Sequence, residues 1–439
     1  MVLFLPFSGH ALTSQTTRNA IQGSAPYLTF DGGRTRAVDA NGLLGITLSD
    51  GTRYTPSTNT SSSSAPISLP VVGQSFADIR MFVPTNTNSV ALSSLIGPPN
   101  NYWGDDDGDA NVTATGSLSL SIVDKNNRPV SRNTVLTTCT DSAPYKVTLS
   151  STNGTLSTRY GFPNRSTFSA RSETYYVNPK AEPVVCFARP DMYYSTGPYA
   201  GPASMWDPAN GFIPQSTGPS SYGRNFPTTG ANGLYFDLLI SGSSQPLSWS
   251  PVSLGGITVT MSNPTATSVR VTLTGPYATT SQHNSNSPSP ISKPTLPQTF
   301  ELVGRDNNGN PVARYGFTLK QWFVNRGNKH DTYSNTLSWC SRIGYRMPHV
   351  KDLTNASCRG INLELRCNGS VGATPSSPNN LYMRYIGSGF FTEWGRMEKY
   401  SGVGFRFWYW TSEPRFCVST RSGFVSLEHQ YNYGLCAYP

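Results

Sequence analysis

Apolar and polar residues alternate along several short stretches of this chain. Ser117 to Val123, Gly256 to Met261 and Ser268 to Leu273 each place an apolar residue at every second position. A spacing of two is that of a β-strand with one buried face. Dipeptides such as Asp31-Gly32 and Asn41-Gly42, set between short apolar pairs, favour tight hairpin turns. The pattern therefore predicts a mainly β protein built of short strands.

One stretch near the C-terminal end follows a helical period instead. Tyr333, Leu337 and Cys340 are spaced by four and three residues, Asp331 precedes them as a candidate N-cap, and Gly344 follows. This is the spacing of one face of an α-helix that ends at a glycine. The same region predicts a short second helix at 350–353 and strands at 405–410, 416–420 and 424–428.

The overall composition supports a protein rich in strands and loops. The 439 residues include 40 Gly and 34 Pro, and only 13% are charged. Disordered chains carry more charge and fewer aromatic residues than the 12% found here. So much Gly and Pro argues against a mostly helical protein. A chain of this length corresponds to roughly two to four domains.

The last 120 residues differ from the rest. Residues 320–439 carry 14 Lys and Arg against 7 Asp and Glu, so most of the net charge of +9 lies there. They also hold five of the eight Trp and five of the seven Cys residues. This change predicts a domain boundary near Phe317. Together the patterns predict an export signal and leader over 1–22, a β-rich sandwich over 23–189, an aromatic, Pro- and Gly-rich loop region with a second sandwich over 190–316, and a final domain over 317–439.

The cysteines and the N-terminus point to an exported protein. The apolar run from Val2 to Phe7 resembles a shortened export signal, and no stretch is long and apolar enough for a transmembrane helix. The cysteines form no CxxC pair, so disulfides are favoured over a zinc site. We expect Cys139 and Cys186 in disulfides. An odd number of cysteines leaves one over, and the sequence leaves open whether it is Cys358, Cys367 or Cys417.

Two motifs in the final domain carry a family resemblance. Ser338-Trp339-Cys340-Ser-Arg-Ile-Gly344-Tyr-Arg-Met-Pro348 and Tyr409-Trp410-Thr-Ser-Glu-Pro414, followed by a last strand with Cys436, resemble a bacterial C-type-lectin-like domain. Tyr102 to Gly108, Asn225 to Gly230 and Phe391 to Gly395 further resemble the adhesion module that ends large enterobacterial surface proteins of the intimin/invasin type.

The resemblance implies a fold, a location and a function. The fold would be immunoglobulin-like β-sandwiches followed by an α+β C-type-lectin-like domain with a disulfide between Cys340 and Cys436. The chain would be an adhesin, extracellular or on the bacterial cell surface, anchored by another segment or protein. Its C-terminal domain would bind a host cell-surface glycan or protein. The Glu413-Pro414-Arg415 sequence departs from the calcium-binding motifs of animal lectins, so calcium-dependent sugar binding is not implied.

Two sets of residues are candidate sites. Aromatic rings offer contact area and arginine forks grip carboxylates or sulfates, which favours a ligand-binding face at Trp394, Arg396, Tyr400, Arg406 and Arg415. The competing interpretation places the nearby tryptophans in the core. Clustered carboxylates suit a hard cation, so calcium is the one candidate cofactor, with ligands Asp105, Asp107 and Asp109.

The remaining function classes find little support. The five histidines are scattered, and no catalytic or phosphate-binding motif occurs. The sequence also has no nucleic-acid-binding motif. We therefore expect neither an enzyme nor a nucleic-acid partner. Two alternatives remain open: a structural spacer of a surface protein, and an extracellular enzyme on a lectin-like fold.

Overall fold

The chain divides into two compact units. The computed structural model describes residues 22–361, 365–413, 416–427 and 430–439. One unit ends at Lys180 and the other begins at Ala181. Nearly all of the predicted signal and leader lies outside the described residues. Among the described helices, none combines the length and hydrophobicity needed to cross a membrane. The domain boundaries predicted near residues 190 and 317 stay predictions.

The first unit consists of short strands with one helical turn, α1 (Ser93–Ile96), and 3₁₀ turns at Asn41–Leu43 and Phe76–Asp78. Its strands are β1 (Tyr27–Leu28), β2 (Ile46–Thr47), β3 (Arg53–Tyr54), β4 (Ile67–Ser68), β5 (Ser89–Ala91), β6 (Trp103–Gly104), β7 (Thr113–Ala114), β8 (Ser117–Val123), β9 (Tyr145–Ser151), β10 (Gly154–Ser157), β11 (Arg165–Phe168) and β12 (Arg171–Asn178). The main sheet has the order β4-β12-β9-β8-β5, and a smaller one has the order β11-β10-β7.

The predicted alternation on β8 is confirmed. Leu118, Leu120 and Ile122 are buried, and they pack in one core with Val147 and Leu149 of β9. The strands pair antiparallel, so the two apolar rows lie on the same face of the sheet. This face forms the centre of the first unit.

The second unit contains the longer strands. They are β13 (Val184–Arg189), β14 (Trp206–Asp207), β15 (Gly211–Phe212), β16 (Thr229–Ala231), β17 (Tyr235–Ser241), β18 (Ser248–Trp249), β19 (Val252–Leu254), β20 (Ile257–Ser262), β21 (Ser268–Thr274), β22 (Gln298–Arg305), β23 (Pro311–Leu319), β24 (Gln321–Asp331), β25 (Trp408–Trp410), β26 (Phe416–Ser419), β27 (Val425–Leu427) and β28 (Asn432–Tyr438). The helices are α2 (Thr280–Asn284), α3 (Tyr333–Arg342), α4 (Val350–Leu353) and α5 (Phe390–Trp394), with 3₁₀ turns at Gly197–Tyr199, Pro219–Arg224, Leu365–Cys367 and Met397–Lys399.

A two-layer β-structure forms the first part of this unit. A sheet of order β14-β15-β13-β17-β21-β20-β19 packs on a smaller sheet of order β18-β22-β23. Phe317 of the small sheet stacks on Phe300 at 5.4 Å and meets Phe236 of the large sheet edge-on at 6.1 Å. The strands predicted from alternation at 256–261 and 268–273 are β20 and β21.

The C-terminal part closes around a six-stranded sheet of order β16-β24-β28-β25-β26-β27. Cys340 of α3 is bonded to Cys436 of β28, with Cα atoms 5.5 Å apart, as the resemblance implied. Cys358 is bonded to Cys367, and Cys417 is buried on β26 with its Sγ 3.5 Å from the carbonyl oxygen of Ser426. Cys139 and Cys186 are also disulfide-bonded, as predicted.

Helix α3 forms where the sequence predicts it, but with a different cap and a different buried face. The N-cap is Thr332, and Asp331 instead accepts a hydrogen bond from the Thr332 N–H at 2.9 Å. Trp339 and Cys340 are buried, whereas Leu337 is 41% exposed. The predicted face was wrong at Leu337 because the disulfide and the indole, rather than the aliphatic residue, set the rotation of the helix.

Two fully buried charges tie the loop region after β13 to the C-terminal part. The Arg384 guanidinium donates from Nε to the carbonyl of Tyr194 at 3.0 Å, from Nη1 to that of Glu393 at 3.1 Å, and from Nη2 to that of Asp191. It also lies 4.8 Å from the centre of the Trp206 ring. A buried cation needs such partners, because its desolvation costs several kcal/mol.

The Glu393 carboxylate is the second buried charge. It accepts hydrogen bonds from the backbone N–H and hydroxyl groups of both Thr228 and Thr229 and from the N–H of Gly387, at 2.6 to 3.1 Å. Burial raises the pKa of Glu393, and these hydrogen bonds oppose the shift. Thr229 is the first residue of strand β16 and Thr228 immediately precedes it. The carboxylate therefore holds an edge strand that lies about 90 residues before the C-terminal part in the chain.

We predict that residues 317–439 alone do not fold, because that fragment lacks most of the hydrogen-bonding partners of both buried charges. Removing the partner of a buried charge costs about 3–5 kcal/mol, which approaches the whole stability of a domain. The fragment should show no cooperative thermal transition by calorimetry, whereas residues 181–439 should show one. A cooperative transition of the short fragment near the temperature of the longer one would contradict this prediction.

The two disulfides of the C-terminal part should differ in their contribution to stability. Cys340 and Cys436 are 96 positions apart, whereas Cys358 and Cys367 are 9 apart. Because cross-linking restricts a longer loop more, we expect a Cys340→Ala/Cys436→Ala variant to lose about 4–5 kcal/mol and a Cys358→Ala/Cys367→Ala variant about 2–3 kcal/mol. Denaturant unfolding of both variants measures the difference, and equal losses would count against the loop-length explanation.

Candidate binding surface

The predicted ligand-binding residues separate into buried and exposed groups. Trp394 is 0% exposed and Tyr400 is 4% exposed, so neither side chain can contact a ligand. The Trp394 indole N–H donates to the carbonyl of Thr229 at 3.0 Å. Both residues are therefore corrected to core residues: aromatic rings next to a buried charge network fill space that water would otherwise occupy.

Arg396, by contrast, belongs to a surface network with residues that the sequence did not single out. Its Nε and Nη2 donate to Oε2 of Glu398 at 3.2 and 3.1 Å, and Nε of Arg421 donates to the same oxygen at 2.9 Å. One carboxylate thus holds two guanidinium groups. With side-chain exposures of 17% for Arg396 and 41% for Arg421, both remain accessible.

An exposed aromatic ring covers the outer side of each arginine. The guanidinium carbon of Arg396 lies 4.4 Å from the ring centre of Tyr193, and that of Arg421 lies 3.7 Å from the ring centre of Phe407. Tyr193 is 57% exposed and Phe407 is 42% exposed. Cation–π contacts of this kind are worth roughly 0.5–1 kcal/mol at exposed sites. We call Tyr193, Arg396, Glu398, Phe407 and Arg421 the arginine–aromatic cluster.

The carboxylate of Asp191 holds the backbone of two cluster residues in position. Its Oδ1 accepts the backbone N–H of Tyr193 at 3.3 Å and that of Arg396 at 3.2 Å. Burial raises the pKa of Asp191, while the charge of Arg384 and the two N–H groups oppose the shift. The backbone N–H of Asp191 donates to the Tyr400 hydroxyl at 2.9 Å. The cluster is therefore held by the buried network described above.

Lys399 lies beside the cluster, whereas the side chain of Arg406 contacts Asn328 instead. Lys399 places its Nζ 5.2 Å from the Tyr193 ring centre. Arg406 is exposed, as a ligand-binding residue should be, and its Nε donates to Oδ1 of Asn328 at 2.6 Å. The remaining predicted residue, Arg415, lies outside the described residues.

The sequence offered only part of the signal for this surface. Arg396 and Arg406 could be selected as basic residues next to aromatic ones, and Phe407 lies in the run from Phe405 to Trp410. Tyr193 could not be linked to them, because it lies about 200 positions away. Only the fold brings its ring onto Arg396.

Comparison with known proteins finds sequence similarity to a bacterial adhesin. The sequence matches no protein-family model. It is 28% identical over 155 residues to the inverse autotransporter adhesin YeeJ of Escherichia coli (strain K12), a match covering 31% of this chain and 6% of that adhesin. Over these residues the chain is homologous to an inverse autotransporter adhesin. It spans only a small part of the length of this relative.

Two solved structures are similar to this chain at low identity. Invasin, described as a bacterial integrin-binding protein, has a TM-score of 0.36 and 14% identity, covering 76% of this chain and 52% of that chain. The C-terminal 282-residue fragment of intimin, solved with the intimin-binding domain of the translocated intimin receptor, has a TM-score of 0.32 and 11% identity, covering 67% and 94%. These similarities are too weak to support an argument about binding partners.

The predicted mainly β fold class is confirmed, because strands predominate over helices among the described residues. In the C-terminal part, helix α3 and the last strand β28 are joined by a disulfide, as in the domain that the sequence resembles.

The candidate calcium ligands are engaged with the protein itself. Asp107 accepts the backbone N–H of Ser24 at 3.1 Å, and Asp105 accepts that of Asp109 at 3.0 Å. Burial and a hydrogen bond with Asp107 raise the pKa of Asp105. Among the described residues, no three His, Cys, Asp or Glu side chains are arranged to hold a metal ion. Calcium binding by Asp105, Asp107 and Asp109 stays a prediction.

One group of side chains has the composition of a catalytic triad but not its geometry. Nδ1 of His349 lies 2.7 Å from Oγ of Ser412 and 3.2 Å from Oε1 of Glu413. In a working triad the nucleophile and the acid contact opposite ring nitrogens. Here both contact the same one, while Oε2 of Glu413 accepts the N–H of Val350 at 3.1 Å. The group therefore caps helix α4.

Proposed function

We propose that this chain is an adhesin module that binds a protein on the host cell surface through the arginine–aromatic cluster, four of whose five residues belong to its C-terminal part. The observation that carries the proposal is the pairing of each exposed ring with a guanidinium, Tyr193 with Arg396 and Phe407 with Arg421. Tyrosine and arginine are among the residues that dominate protein–protein binding energy, because they combine large contact area with directed hydrogen bonds.

The charge of the surface favours an acidic partner. Arg396, Lys399 and Arg421 carry three positive charges against the negative charge of Glu398. Glu398 holds two guanidinium groups through a single oxygen, so each retains further N–H donors that a partner carboxylate can accept. Such complementarity chiefly raises the association rate and the specificity of binding.

Rigidity of the surface supports the same role. The cluster is attached to Asp191, and the backbone carbonyl of Asp191 accepts from the buried guanidinium of Arg384. Side chains that are already ordered before binding lose less conformational entropy when the partner arrives. An adhesin that must bind at the end of a long surface protein benefits from such pre-organisation.

Charge reversal in the cluster should abolish binding without unfolding the protein. The labelled full chain is applied to an array of host cell-surface proteins, matrix proteins and glycans, and bound targets are titrated. We expect an Arg396→Glu/Arg421→Glu variant to bind at least about tenfold more weakly, a loss of about 1.4 kcal/mol, with the wild-type thermal transition retained. Phe407→Ser should weaken binding while leaving the charge unchanged.

Lys320→Glu is the matched control. Lys320 is exposed in the same unit and lies outside the cluster, so its reversal changes net charge equally per residue. Undiminished binding by the double variant would refute the proposal and favour a spacer role. An equal loss with Lys320→Glu would show that only overall charge matters. If the chain binds glycans and no protein on the array, the proposed protein partner is wrong and the ligand is a glycan.

A further inference from the structure

The first unit contains a second candidate binding site, formed by residues other than those of the arginine–aromatic cluster. A cavity of about 290 Å³ opens between the β2–β3 hairpin and the segment from Arg80 to Phe82. Its lining includes Arg53, Arg80, Met81, Phe82 and Tyr102. Its volume is at the lower end of the range for small-molecule sites, which suits a single ring rather than a longer ligand.

The two arginines give the cavity an uncompensated positive charge. Both are exposed, and over the described part of the chain neither guanidinium forms a side-chain hydrogen bond or ion pair. No acidic residue occurs among the described residues that line the cavity. By contrast, Arg128 and Arg171 of the same unit each bind an aspartate. Two free guanidinium forks at one cavity are suited to a carboxylate.

The floor of the cavity is apolar and ordered. The Tyr102 ring is held between Phe30 at 5.3 Å and Phe82 at 5.7 Å, the latter in an edge-to-face arrangement. The side chain of Met81 adds polarizable surface beside them. Such a floor can pack against the C–H face of a sugar ring.

The backbone around the cavity argues against a peptide ligand. Thr47 of β2 pairs with Arg53 on one side, and on the other it exchanges two backbone hydrogen bonds with Arg80, at 2.8 and 2.9 Å. Strand β2 therefore has no free edge at which an extended peptide could add a strand. A ligand must be recognised through its own ring and its charge.

From this geometry we infer that the cavity binds one acidic sugar residue, with its carboxylate between Arg53 and Arg80 and its ring on Phe82 and Tyr102. The adhesin module would then contact a uronic- or sialic-acid-containing glycan through its first unit, independently of the protein contact proposed for the second. The experiment must therefore separate the two.

Saturation-transfer NMR on the full chain tests the inference with methyl glucuronide and N-acetylneuraminic acid as probes. We expect at least one of them to bind with about millimolar affinity, to lose about tenfold in an Arg53→Gln/Arg80→Gln variant, and to bind more weakly at high salt. Arg165→Gln, an exposed arginine of β11 that does not line the cavity, should bind like the wild type. Arg396→Glu/Arg421→Glu should also leave this binding unchanged.

Several outcomes would overturn the inference. One is that neither probe transfers saturation. Another is that methyl glucoside binds as tightly as methyl glucuronide, which would show that the carboxylate does not contribute to recognition. If N-acetylglutamate binds with the same affinity as the acidic sugars, the sugar ring does not contribute to recognition. An equal loss with Arg165→Gln would reduce the effect to net charge. If the double glutamine variant loses its thermal transition, the salt dependence and the neutral-sugar comparison on the wild type decide the matter.

Discussion

The burial of Arg384 and Glu393 is the constraint on which the second unit depends. Neither side chain has access to water, so each needs protein groups to replace its hydration. Those groups come from the loop region after β13 and from the start of β16, far earlier in the chain. The C-terminal part and the preceding segment share one hydrophobic core, so the C-terminal part can complete its core only when that segment is in place.

The same constraint carries over to the surface. The segment that supplies a carbonyl to Arg384 also supplies the Asp191 carboxylate, which holds the backbone of Tyr193 and Arg396. The exposed residues are thus held in position by buried residues that are only one or two hydrogen bonds away. This is why an accessible cluster in a loop-rich region can remain ordered, and why its members come from distant parts of the sequence.

Arginine and aromatic residues occur together in both units, but with different consequences. In the cluster, Glu398 satisfies part of the hydrogen-bonding capacity of Arg396 and Arg421, which leaves a broad, partly neutralised surface suited to a protein. In the cavity of the first unit no carboxylate meets Arg53 or Arg80 among the described residues, so the charge remains for a ligand to neutralise. The presence or absence of one internal carboxylate distinguishes the two kinds of site.

The sequence by itself determined the fold class, the strands with strict alternation such as β8, β20 and β21, and the pairing of Cys340 with Cys436 through a family resemblance. These features depend on local periodicity and on short motifs, which can be recognised in the sequence alone. Tertiary structure alone decided which aromatic residues are buried and which are exposed. Trp394 and Phe407 lie in similar aromatic, basic surroundings in the sequence, and only the long-range packing around Glu393 takes the first into the core and leaves the second at the surface.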